Sequence, residues 1–540
     1  MKMEGKIVDI ISEKIFEGYI LIKNGRISEV VKAPTQNSQY IMPGFIDSHV
    51  HIESSMLTPA QFAKLAVKHG TIGVVTDPHE MANVMGIEGV EFMIENSKTV
   101  PMKFFFGVPS CVPATDFESS GHKITSADIE ELMKRDDLYF LSEMMNFPGV
   151  IFDDNEVLRK MKAAKLNNKP IDGHAPGLRG KQLRKYVSAG ISTDHECLNI
   201  DEALEKIKEG MKIQIREGSA AKNLEALFPI IDQFPESVML CTDDCHPDDL
   251  INGHMNLHVK HCIEKGIDIF KILKIAILNP VKHYSLPVGM LQPDDPADFI
   301  IVDNLSDFNI KKVVIDGEII FNNKQVLFEI HEISPLNNFE RCRMQKSDIG
   351  VTAKSEKINV IEAIDGELIT NKIVCNAKIE DGEIVSDVEN DNLKIVVINR
   401  YNNEAKPVVG FIRNFKLKKG AIAGSIAHDS HNIIAIGTND DDLILAINKI
   451  IDNKGGIVVV DNSEINDLKL EIAGLLTNHD GAKVASDYKA ISDKARALGS
   501  DLHAPFMTLS FMALLVIPSF KIGDKGLFDG NKFELDILYA

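Results

Sequence analysis

The stretch Pro43-Gly44-Phe45-Ile46-Asp47-Ser48-His49-Val50-His51 decides how this chain is read. An apolar run ends in two histidines spaced i, i+2, and on a strand those positions share a face. Both imidazoles then aim at one point beyond the strand end, which is the arrangement a divalent transition metal takes from neutral histidines. Two solvent-facing histidines on a loop would show the same local pattern, so the surrounding sequence has to decide.

Outward from His49 the chain alternates short apolar strands with helical stretches, the grain of repeated βα units. Eight strands are expected: Phe45–His51, Ile72–Asp77, Lys103–Pro109, Leu138–Glu143, Pro170–His174, Ile191–His195, Lys212–Arg216 and Val238–Asp243. Amphipathic segments such as Pro59–His69 and Glu202–Glu209 lie between them. Eight parallel strands with intervening helices make an α/β fold, a (β/α)8 TIM barrel over residues 43–285. A helix over Asp268–Leu278 follows, with Asn279-Pro280 as its stop.

The segments flanking the barrel are β-rich. Before it, Lys6–Ile10 and Gly18–Ile22 are β-like runs joined by the turn Lys23-Asn24-Gly25-Arg26, since Asn-Gly between apolar runs signals a hairpin. After it, Val313–Ile320 is a second hairpin with Asp316-Gly317 at its turn. Residues 1–42 and 286–335 are therefore expected to pair into one small composite β domain. The composition turns polar around 335–355, and residues 350–540 carry their own strands (Leu393–Ile398, Ile457–Val460) and helices (Asp441–Ile451, Tyr488–Ala497), enough for a C-terminal α/β domain.

At 540 residues the chain exceeds one core, and 44% hydrophobic with 26% charged residues is ordinary for a folded protein. A formal net charge of -20 argues against a nucleic-acid backbone or an anionic membrane as the main partner and favours a small or neutral ligand. The seven scattered cysteines read as reduced thiols, no signal peptide is evident at the start, and the apolar Phe511–Phe520 is too short to span a bilayer. A cytoplasmic protein is expected, with a homo-oligomer, as a dimer, the expected assembly.

Barrels of this kind carry chemistry at the C-terminal ends of their strands. Those positions hold His49 and His51 on the first strand, Asp77 with His79 and Glu80 after the second, Ser110 and Cys111 after the third and Glu143 on the fourth. His174 and His195 end the fifth and sixth, Arg216 and Glu217 the seventh, Asp243 and Asp244 the eighth. Four histidines and two acids exceed what one tetrahedral ion takes and suit two ions, with Glu143 as the natural bridge. A cytidine-deaminase type of zinc site is rejected, because Cys241 and Cys245 are spaced C-x-x-x-C with no H-x-E partner.

With these residues in place the chain resembles the amidohydrolase superfamily of metal-dependent hydrolases, and within it the adenine deaminase family. The resemblance is carried by PGFIDSHVHIESS at 43–55, VVTDPHEMANVMG at 74–86, FFFGVPSCVPAT at 104–115, DGHAPGL at 172–178, STDHE at 192–196 and CTDD at 241–244, with GSIAHDSHNIIAIG at 424–437 matching that family's extra C-terminal domain. It implies that His49 and His51 hold a first ion, that Glu143 bridges, that His174 and His195 hold a second, and that Asp243 is both ligand and proton shuttle. Many superfamily members carry a carboxylated lysine on strand four; Glu143 stands there instead.

The implied reaction is hydrolytic deamination of adenine to hypoxanthine and ammonia by a metal-activated hydroxide, with Asp243 relaying the proton. The resemblance favours manganese, with iron or zinc also compatible with imidazole and carboxylate ligands. A second acid should protonate ring N1. Related purine deaminases place a glutamate shortly after the strand-five histidine, where this chain reads His174-Ala175-Pro176-Gly177, so Glu80, Glu53 and Glu196 are the candidates in that order. Glu53, His79 and Glu196 are the expected substrate contacts. His428 and His431 of His428-Asp429-Ser430-His431 are candidates for a loop that reaches the barrel mouth, though a polar turn would read the same way; Asp501-Leu502-His503 is a weaker case. The competing readings are another amidohydrolase opening a cyclic amide or N-acyl substrate, and a non-catalytic barrel, which the filled ligand positions disfavour.

Overall fold

The computed structural model describes residues 1–331 and 333–540; Glu332, within the segment 286–335 assigned above to the small β domain, lies outside the described residues. Eight parallel strands follow one another round a barrel in chain order: β1 (Phe45–His51), β2 (Thr71–Thr76), β3 (Lys103–Val108), β4 (Leu138–Met144), β5 (Ile171–Gly173), β6 (Thr193–Asp194), β7 (Lys212–Arg216) and β8 (Val238–Cys241). Pairing is continuous from β1 to β5 and from β6 to β8. A parallel bridge between Ile171 and Ile191 joins the two arcs on one side. On the other, the short strand Asp243–Asp244 just past β8 pairs with Val50 and His51 of β1.

The strands are buried almost throughout because helices cover the sheet, so their apolar runs show no alternation. Gly44 is needed where the chain enters β1: a Cβ there would lie 2.4 Å from the Ile72 side chain of β2. β6 is shorter than the expected Ile191–His195, because beyond Asp194 the chain turns out into a loop that carries His195. Asn279-Pro280 does not stop its helix. Ile269–Leu273, a π turn over Lys274–Leu278 and Asn279–Tyr284 are consecutive, and Pro280 sits in the first turn of the last segment, where its missing N–H costs little.

The flanking strands form one eight-stranded sheet, in which Tyr40–Met42 pairs with Lys2–Asp9 on one side and with Phe299–Val302 on the other. One connection differs from expectation. Asn24-Gly25 turns the chain between Lys14–Lys23 and Arg26–Lys32, whereas Lys2–Asp9 and Lys14–Lys23 are joined through residues 10–13. The Asn-Gly pair made a hairpin, but with the strand that follows.

A second eight-stranded sheet spans Lys357–Lys469. Alternation along Leu393–Ile398 divides its faces: Val396 and Ile398 pack with Leu443, Ala446 and Ile450 of the helix Asp440–Asn453, while Ile395 and Val397 join the core shared with the barrel. That shared core is what brings C-terminal loops to the barrel mouth. No helix of the described residues is long and apolar enough to cross a membrane.

Candidate active site

His49 and His51 leave β1 beside the Asp243–Asp244 strand, and the register pairs Asp243 with Val50. β1 is fixed there by Asp47, whose carboxylate accepts from the backbone N–H and the hydroxyl of Thr242. Asp243 itself has φ 57°, a left-handed conformation uncommon outside glycine and tolerated by aspartate. That turn places its carboxylate between Arg216 on one side and His49 and His51 on the other.

The six expected ligands converge. His51 Nε2 lies 3.3 Å from Glu143 Oε1 and 3.2 Å from Asp243 Oδ1, and His49 Nε2 lies 3.5 Å from Asp243 Oδ1. The other oxygen of Glu143 faces His174 Nδ1 at 2.9 Å and His195 Nε2 at 3.1 Å. Glu143 therefore divides its carboxylate between two groups of histidines. His51 Nδ1 is 3.2 Å from the Asp77 carbonyl oxygen; as donor there it leaves its Nε2 lone pair for the centre. Tyr186, accepting from the His174 N–H and donating to the Met144 carbonyl, ties β5 to β4 at the same level.

These residues fit a cation. His49 Nε2 is buried without a hydrogen-bond partner and faces Asp243, and His174 Nδ1 stands 3.3 Å from His195 Nε2, both of them turned toward Glu143. Lone pairs gathered this way, with imidazole and carboxylate donors and no thiolate among them, suit a divalent metal. The charges agree. Burial would raise the carboxyls of Glu143 and Asp243, but the histidines around Glu143 and the Arg216 guanidinium with His49 and His51 around Asp243 hold both well below the usual carboxylate range.

The remaining expected residues separate into those that line the cavity and those that do not. His79, Glu196 and His428 line it, with Arg216, Asp244 and Asp429 beside them. His79 Nδ1 is 3.0 Å from Asp77 Oδ2, and its Nε2 is 3.6 Å from Asp429 Oδ1. Glu80 stands behind the wall: its Oε1 is 3.4 Å from His428 Nδ1 and its Oε2 is 3.7 Å from His431 Nε2. Glu53 accepts from the Met81 N–H at 3.2 Å, which places it under the helix His79–Met85 rather than in the cavity. Burial and the charge of Glu80 push Glu53 up to about 8, and burial raises Glu80 as well. Glu196 is held by Arg216, which also donates to Asp243 Oδ2 at 2.6 Å.

The sequence assigns no role to Arg216 at the end of its strand, nor to Asp429 inside the His428–His431 cluster. The apolar wall of Met145, Leu368, Phe511 and Leu514 gave no sequence signal, since three of the four come from the C-terminal part of the chain. The metal-side residues and this wall enclose a cavity of about 30 Å³.

Residues 40–320 match the amidohydrolase family, and with a barrel whose strand ends gather buried imidazoles and carboxylates, the chain is a metal-dependent hydrolase of that class. Residues 367–534 match the adenine deaminase C-terminal domain. The chain is 53% identical over 553 residues to the adenine deaminase of Methanosarcina mazei, covering 100% of this chain and 99% of that protein. It is 47% identical over 539 residues to that of Borreliella burgdorferi, covering 98% of each. A β-aspartyl dipeptidase structure from Fervidobacterium islandicum is 16% identical, with a TM-score of 0.46 over 62% of this chain and 100% of that one. The chain belongs to the adenine deaminase family.

Proposed function

We propose that this enzyme hydrolyses adenine to hypoxanthine and ammonia at a centre of two divalent ions, Mn²⁺ by preference. The observation that carries the reading is the division of Glu143 between His51 on one side and His174 and His195 on the other, joined to full-length likeness to adenine deaminases. His49, His51 and Asp243 would hold one ion and His174 and His195 the other, with Glu143 between. When bound, the ions supply hydroxide near neutral pH by lowering the pKa of water.

The chain's own groups then move protons. Asp243 has its Oδ2 on Arg216 and its Oδ1 toward the histidines, so Oδ1 is the oxygen that takes a proton as C6 becomes tetrahedral and passes it to the departing amine. The ring nitrogen draws its proton from the Glu80–His428 pair. His428 is the member that reaches the cavity; burial would lower it, but Glu80 and Asp429 raise it to about 9, so it is a cation at neutral pH. His79 and Glu196 contact the purine from the barrel side. Seven unpaired cysteines suit the reducing cytoplasm in which we place the enzyme.

The test is a substrate panel. Metal-loaded protein is given adenine, adenosine and dihydroorotate separately, and ammonia and absorbance are followed. Turnover of adenine alone is expected; an opened cyclic amide with adenine inert would replace this reading with the other amidohydrolase chemistry.

A further inference from the structure

Lys521 is fully buried in the strand Phe520–Gly523, and among the described residues it has no carboxylate within ion-pair distance. Burial alone pushes it down to about 7. Its Nζ donates to two backbone carbonyls, that of Leu368 at 2.5 Å and that of Phe511 at 3.1 Å. Both residues line the cavity over the metal-side histidines, and Phe511 packs its ring 5.1 Å from that of His428.

The strand carrying Lys521 reinforces the same two segments. Phe520 donates its N–H to the Thr370 hydroxyl and accepts that hydroxyl's proton on its carbonyl, two residues beyond Leu368. Ile522 donates to the Met512 carbonyl, one residue beyond Phe511. An apolar side chain would fill this space without burying an amine, so packing does not account for the lysine. What the amine adds is a direct link between the Leu368 carbonyl and the Phe511 carbonyl at the end of the helix Pro505–Phe511, beside the backbone bonds of its own strand.

Leu368 also borders a second cavity of about 320 Å³, which shares Glu196 and Arg216 with the inner one. Leu368 and the Arg216–Glu196 pair thus separate the metal-side cavity from the outer space. Leu368 and Phe511 are two of the apolar residues that line the inner cavity together with the metal-side histidines.

From this geometry we infer that Lys521 is a positioning residue for the substrate pocket: by holding the Leu368 and Phe511 carbonyls together it sets the apolar wall against which the purine packs. The inference rests on the adenine reading above and deepens it.

The experiment compares metal-loaded wild type with Lys521→Met, Leu368→Ala and the double variant, measuring metal content, thermal midpoint, KM and kcat for adenine. Lys521→Met is expected to keep its metal and raise KM about tenfold with kcat within about threefold, the mark of lost substrate positioning. Leu368→Ala should move KM in the same direction, and the double variant should fall short of the product of the two effects, because both act on one wall. A lowered thermal midpoint with KM unchanged would reduce Lys521 to a structural role and overturn the inference, as would fully multiplicative effects. Should Lys521→Met not fold, Lys521→Arg, which keeps the donors but moves them, must raise KM; an unchanged KM overturns the inference equally. A wild type inert toward adenine defeats the deaminase reading and this inference with it, whereas equal KM values in an active wild type and variant defeat this inference alone.

Discussion

Asp243 shows how much one residue's conformation decides. Its left-handed backbone turns one oxygen toward Arg216 and the other toward His49 and His51, so the arginine fixes the carboxylate without occupying the oxygen to which the proposed mechanism gives the proton. Glu80 and His428 divide labour differently. Glu80 is buried behind the wall and His428 reaches the cavity, so in the proposed mechanism Glu80 acts on the ring nitrogen only through His428. Glu80→Gln and His428→Gln should each lower kcat by about 10²–10³-fold, and the double variant by little more than either, as groups acting as one unit do. Steady-state kinetics of the three variants decide this; losses that multiply would separate the two residues. The six converging residues could be read from sequence because barrel topology brings strand ends together whatever the loops do. Arg216 and Asp429 could not be assigned, since a strand-end arginine or a loop aspartate reads the same whether or not it faces a site.

Among the elements, β1 and β7 lie where their apolar runs placed them, whereas β6 shrinks to two residues because the loop beyond takes over His195. The π turn before Asn279 was unreadable because Ile275–Leu278 is apolar and buried at every position, so the wider period leaves no polar face to shift. The loop after β3 is joined to the C-terminal loop through Glu118, which accepts from the Ser430 hydroxyl at 2.7 Å. Burial and the charge of Asp429 push Glu118 up to about 8 from 4.5. The folded form therefore binds a proton that the unfolded chain has released between those values, and this contribution to stability, complete below 4.5, is lost as pH rises toward about 8. Glu118→Gln carries no such proton. Its thermal midpoint relative to wild type should climb from about pH 5 to about pH 8 and then level off; a difference independent of pH would show that Glu118 does not titrate there.

At the scale of the whole molecule, the barrel supplies the metal-side histidines and carboxylates, and the C-terminal part supplies His428, Asp429, Leu368, Phe511 and Leu514 opposite them. That assembly depends on the apolar face of the second large sheet packing into the barrel's own core, a long-range match between surfaces far apart in the chain. Local periodicity marks each face as apolar but not which face it meets, so the sequence pointed to a loop at His428–His431 without revealing the wall around it. In the proposed reaction the completed site works through a pair of ions on adenine. Its most direct test strips the protein with a chelator, returns Mn²⁺ stepwise and follows ammonia release from adenine. Activity should rise to a plateau at about two equivalents per chain; a plateau at about one, or a fully loaded protein that leaves adenine untouched, would rule out the two-ion deaminase.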